Sequence, residues 1–136
     1  MLYVNGDGVT TTATAVGNQI EISTIGSGFS WNEETGTSAT MAVNNGYIAN
    51  NAALVTLTLP STASVGDVVR VTGKGAGGWR IAQNAGQTIY FGLLSTTTGA
   101  GGRLDSTEDR DTVEMVCITA DDDWNVISSV GNITVT

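Results

Sequence analysis

In several short runs along the chain, apolar and polar residues exchange places at every second position, the signature of half-buried β-strands. In "ALVTLTLP" (53–60), Val55, Leu57 and Leu59 fall on one face and Thr56 and Thr58 on the other. Pro60 ends that run, because proline cannot donate to a ladder. "GDVVRVTG" (66–73) sets Val69 and Val71 against Val68, Arg70 and Thr72. "GWRIAQ" aligns Trp79 with Ile81 and "QTIYFG" aligns Ile89 with Phe91, with Asn84–Ala85–Gly86 predicted as a short hairpin connection between them. "NQIEIST" (18–24) predicts a strand with Ile20 and Ile22 on one face. The closing "DDDWNVISSVGNITVT" predicts two more, Trp124 facing with Val126 and Ile133 with Val135. "TVEMVCIT" (112–119) is apolar on both faces, with Val113, Met115 and Cys117 on one and Val116 and Ile118 on the other. Such a run predicts a central strand or one covered by another subunit. "GDG" (6–8) and "GSG" (26–28) read as turns, and "WNEETGTSATM" (31–41) as a loop or edge segment. Residues 93–112 carry no strand pattern and read as a long loop at a subunit interface or apex.

Composition strengthens the all-β reading. The chain has 136 residues, enough for one domain with a real core, taken as 1–136. Charged residues are only 13%, so the polar surface must come from Thr, Ser, Asn and Gly. There are 21 threonines, whose branched Cβ favours extended backbone, and 18 glycines with one proline, which suit many tight turns. Strand spacing of about 8 to 12 residues predicts a β-sandwich or jelly roll.

Charge narrows the partners. Five basic against thirteen acidic residues give a net charge of −8, without the Lys/Arg cluster that nucleic acid or an anionic membrane would need. The absence of histidine removes the usual general base and the commonest metal ligand. Cys117, the single cysteine, has no intrachain partner and reads as a small buried hydrophobe. No run of about 18 apolar residues suggests a membrane span. The opening "MLYVNGDG" lacks the basic region and apolar run of a signal peptide.

The glycine-rich "TGKGAGGWRIAQNAGQTIYFG" (72–92) raises the question of phosphate binding. A phosphate loop needs Lys followed by Ser or Thr and then a helix; here Lys74 precedes Gly75 and Ala76 and the next element is a strand. The glycines are instead expected to allow close backbone approach, with Lys74 solvated on a turn and Trp79 and Trp124 in the core. Oxygen ligands cluster weakly at Asn5 and Asp7 and at Asp121 and Asp123, candidates for a low-affinity metal site whose ordinary reading is a solvated turn; no cofactor is expected. "STEDRD" offers Glu108, Asp109 and Asp111, which a glycosidase could use only in an apolar cleft. With Arg103 and Arg110 interleaved, Arg103, Glu108, Arg110 and Asp111 are better candidates for an ion-pair network at a trimer interface or apex loop. Trp31, in the polar "SGFSWNEETGT", is the candidate exposed aromatic for ligand contact.

The segment from Asn44 to Gly92, with "STTTGAGGRLDS" and "VGNITV" after it, resembles a β-rich knob or tip module at the C-terminal ends of phage tail-fibre and tail-needle proteins, also seen in bacterial surface proteins. "GKGAGGWRIAQNAGQTI" is the most specific part; the resemblance covers about residues 41 to 136 and leaves 1–40 unmatched. It implies a jelly-roll or TNF-like sandwich assembling as a homotrimer, a virion component meeting a host-surface receptor, with a glycan as one receptor class. It supplies no catalytic residue. The expectation is therefore a non-enzymatic tip domain for host attachment or penetration, against the alternative of a carbohydrate-binding adhesin module on a bacterial surface.

Overall fold

The computed structural model describes residues 10–16, 19–25 and 28–136, and all structural statements concern these. Every regular element is a β-strand: β1 (Thr10–Val16), β2 (Gln19–Ile25), β3 (Ser30–Glu34), β4 (Ser38–Thr40), β5 (Asn45–Ala49), β6 (Val55–Thr58), β7 (Val68–Gly73), β8 (Trp79–Ala82), β9 (Thr88–Phe91), β10 (Leu94–Ser95), β11 (Arg103–Ser106), β12 (Thr112–Thr119), β13 (Asp123–Val130) and β14 (Ile133–Val135). β1 and β2 form an antiparallel ladder. The rest build two mixed sheets, a seven-stranded one ordered β10-β9-β13-β12-β7-β5-β3 and a five-stranded one ordered β14-β11-β8-β6-β4. The fold is all-β, with the two-sheet architecture of a β-sandwich.

The alternation read from the sequence decides which residues lie between the sheets. Val55, Leu57, Trp79, Ile81 and Leu104 come from the smaller sheet, and Val69, Val71, Ile89, Val113, Met115, Cys117 and Trp124 from the larger; all are fully buried in one core. Burying a side chain of this size stabilises by roughly 1.5 to 3 kcal/mol each, so these inward positions are what set the faces.

Between β3 and β8 the chain changes sheet at every connection. β3, β5 and β7 are parallel neighbours in one sheet, and β4, β6 and β8 are parallel neighbours in the other. Each turn of this flattened coil thus adds one strand to each sheet, and its loops stack on one another. Asn50 N–H donates to Glu34 O (2.9 Å), Lys74 N–H to Ala49 O (2.8 Å) and Gly77 N–H to Asn51 O (3.0 Å). Stacking this close leaves no room for side chains: a Cβ on Gly75 or Gly77 would overlap the backbone of Asn51 or Ala53. The glycine run therefore serves backbone approach, as expected. From β9 onward wiring is mostly antiparallel, with β12 between β7 and β13 and β11 between β8 and β14.

Two expectations are corrected. Asn84–Ala85–Gly86 is not a hairpin connection: β8 and β9 lie in different sheets, and the turn carries the chain from one to the other. Nor is 93–112 a loop, since it contains β10 and β11 and reaches β12, with Leu104 fully buried and Asp111 3% exposed. The alternation in "RLDS" was too short to see, because only Leu104 points inward between the outward Arg103 and Asp105. Strand β12 is central by pairing, yet its outer face is open: Val116 is half-buried and Ile118 exposed. Segment 31–41, read as loop or edge, forms β3 and β4, each at an edge of its sheet.

Candidate functional site

One row crosses the outer face of the larger sheet. Register places Trp31 opposite Gly46, Gly46 opposite Arg70, and Arg70 opposite Glu114, one residue each from β3, β5, β7 and β12. The indole of Trp31 lies over Gly46, where an added Cβ would stand 2.5 Å from Trp31 Cε3. Only glycine at 46 lets the ring lie down on the sheet. Phe29 meets Trp31 edge-to-face with centroids 5.7 Å apart and ring planes at 71°. The Arg70 guanidinium stacks over Phe29, 4.3 Å from the centroid, while its Nε donates to Glu114 Oε2. Trp31 nevertheless stays 49% exposed. A large aromatic ring is thus both fixed from below and open to solvent.

Glu33, two residues on, shares this outer face, while Asn32 alternates to the other side of β3, where its Nδ2 donates to Asn45 Oδ1 (3.0 Å) and Gly46 O (3.2 Å). Glu33 Oε1 accepts from Lys74 Nζ (2.6 Å) and Asn50 Nδ2 (2.7 Å). The bond from Lys74, then that from Asn50, then the lysine's charge hold the Glu33 carboxyl below its usual range. Chemically, the arrangement offers a flat apolar ring flanked by amide, guanidinium and carboxylate groups. It suits a ligand with one C–H face and a hydroxyl-rich rim.

The remaining sequence candidates separate. Asn5 and Asp7 lie outside the described residues. Asp121, at φ 67°, accepts from Ala63 N–H through Oδ1 (2.8 Å), capping the 61–67 loop, while Asp123 opens β13 opposite Thr119 and Thr88. Among the described residues, no three His, Cys, Asp or Glu side chains gather in a way that could hold a metal ion. Arg103 and Arg80 both donate to the Asp105 carboxylate, at 3.0 and 2.6 Å. Arg110 donates to Lys74 O (2.9 Å), tying its turn to the glycine loop. Glu108 and Asp109 are exposed and, with Ala76–Gly78, Ser106 and Thr107, line a hollow of about 220 Å3.

Asp111 is committed inside the chain. Its carboxylate accepts from the N–H groups of Thr107 (2.8 Å), Glu108 (3.0 Å) and Asn132 (3.3 Å), and its carbonyl accepts from Trp79 Nε1 (2.8 Å). Burial pushes its pKa up, but these backbone donors and the Thr107 hydroxyl outweigh burial and leave it below the ordinary value. Cys117 is buried, and desolvation above all raises its thiol, which suits packing and not nucleophilic chemistry.

Sequence reasoning found Trp31 but missed Phe29, Gly46, Arg70 and Glu114. Phe29 stands only two positions from Trp31 in the same polar segment, whereas Gly46, Arg70 and Glu114 lie 15, 39 and 83 positions from it and only ladder register brings them into its row. No protein-family model and no curated protein matches the chain. Among the described residues no helix is long and apolar enough to cross a membrane.

Proposed function

We propose that this chain is a non-enzymatic attachment module, the homotrimeric tip domain of a phage tail fibre or tail needle, and that it meets a glycan-bearing host surface through the Trp31 row. The observation that carries the reading is the exposed indole immobilised over Gly46, with the Phe29–Arg70–Glu114 stack beside it. A soluble protein that leaves a tryptophan half in water gains nothing in stability from that exposure, so a contact partner is its best explanation. Sugar rings stack their C–H face on such indoles while amides, guanidinium and carboxylate bond the hydroxyls. The low-charge, threonine- and glycine-rich sandwich and the resemblance of residues 41–136 to tail-tip modules support the virion setting and the TNF-like threefold assembly.

Two measurements test it. On a glycan array, specific hits are expected for the wild-type chain and lost in Trp31→Ala; a flat array counts against glycan recognition. Light scattering is expected to give a trimer, and a stable monomer at micromolar concentration would sink the homotrimeric tip.

A further inference from the structure

The other side of the larger sheet ends very differently. β13 pairs with β9 only over Asp123–Asn125, whereas its antiparallel ladder with β12 continues to Val130. Past Asn125, β9 turns away at Gly92 into β10, which returns on the far side of β9. Residues 126–130 of β13 therefore have a ladder partner on one side only, among the described strands. The gap is a hollow of about 510 Å3 between Phe91–Leu94 and Val126–Ser129. Leu93 stands fully in solvent, and Leu94, Ile127 and Val130 are 59%, 53% and 65% exposed.

Open strand edges in soluble proteins are usually guarded by charged residues, proline or a bulge that turns the edge away. This one has a bulge at Ile127, which the ladder skips between Ser128 and Val126, but neither charge nor proline: no Asp, Glu, Lys, Arg or Pro occurs in 81–102 or in 124–136, the two stretches that meet here. The chain's eighteen charged side chains all lie elsewhere in the sequence.

We propose that this uncharged edge is the seam between copies of this chain. The occupant follows from charge. Two copies at −8 each repel wherever their acidic surfaces meet, and a contact through the uncharged edge keeps those carboxylates apart. A basic partner would be drawn to the acidic surfaces instead and would gain nothing here. The seam supplies what the edge lacks, cover for Leu93, Leu94, Ile127 and Val130 where this edge of three copies meets around the threefold axis. It specifies the assembly in the proposed tip and rests on that reading.

The test is Leu94→Asp and Ile127→Asp, with Val65→Asp as control, since Val65 is 68% exposed on the 61–67 loop away from this edge. Molar mass by light scattering across a dilution series reads the outcome, and circular dichroism checks folding. Each edge variant is expected to weaken association at least a hundredfold, while Val65→Asp keeps the wild-type mass. An oligomer of unchanged affinity in both edge variants overturns the seam and leaves the trimeric tip standing; a monomeric wild-type chain overturns both. Should either variant fail to fold, hydrogen exchange on the wild-type chain decides. The amides of 126–130 must exchange more slowly in the concentrated oligomer than in the dilute monomer, and equal rates overturn the seam.

Discussion

The larger sheet has two exposed ends built on opposite plans. At the β3 end, Glu33, Glu34 and Lys74 line the edge, and each aromatic ring is braced, Trp31 on Gly46 and Phe29 under Arg70. At the β9–β13 end no charged residue occurs in 88–95 or 124–130, and Leu93, Leu94, Ile127 and Val130 stand unbraced in solvent. The contrast shows two uses of exposed apolar surface. A charged border keeps an edge from pairing with other chains, so a fixed ring there stays available to a ligand. An edge without charge, whose bulge still leaves four apolar side chains in water, gains stability when covered.

The two ends are also rooted differently, which can be tested by breaking each root. The largest effect is expected at Gln87, which is 1% exposed behind the uncharged end. Its Nε2 donates to Pro60 O (2.8 Å) and Asp121 O (3.0 Å), and its Oε1 accepts from Asn84 N–H (2.9 Å). Gln87→Leu leaves these buried groups unpaired and should cost about 3 kcal/mol in urea unfolding. A loss under about 1 kcal/mol would mean that this network does not hold the end in place.

Next comes Asp111, which ties the turn after β13 to the 107–111 segment through Asn132. Asp111→Ala should cost about 2 kcal/mol at pH 7 by stranding three N–H donors. Because the folded carboxyl has the lower pKa, the unfolded chain takes up its proton first. Its contribution is therefore complete above about pH 4, the ordinary aspartate value, and is lost as pH falls through the folded value. The stability gap between wild type and variant should be flat from pH 7 to about 5 and narrow below about 4; a gap that widens in acid would contradict the assignment.

A smaller effect is expected at the β3 end. Gly46→Ala lifts the Trp31 ring off the sheet, costs about 1 kcal/mol and shifts tryptophan emission, with glycan binding lost in parallel. Unchanged emission would show that the ring is not held by close approach. The smallest effect belongs to the exposed pair of Lys74 and Glu33: Lys74→Met should leave the unfolding midpoint where it is at any salt concentration. A clear drop would make that border structural.

The inner faces were legible because burial enforces a two-residue period over runs such as 53–60 and 66–73, and Trp79, Trp124 and Cys117 fell into the core as read. The glycine run was legible too, since Lys74 followed by Gly75 and a strand excludes a phosphate loop. Asp111 and Gln87 were illegible: a carboxylate among charges and an amide beside a turn look like surface until their backbone partners are known. The strand β11 was hidden because one inward leucine makes no period.

Alternation and composition settle that this chain is all-β and which side of each strand faces inward, because those depend on neighbours in sequence and on the cost of leaving apolar side chains in water. They cannot say which strand lies beside which. Ladder hydrogen bonds are made by the same backbone groups whatever the side chains, so the coil of β3–β8, the row from Trp31 to Glu114 and the unpaired half of β13 arise only when distant segments pack together.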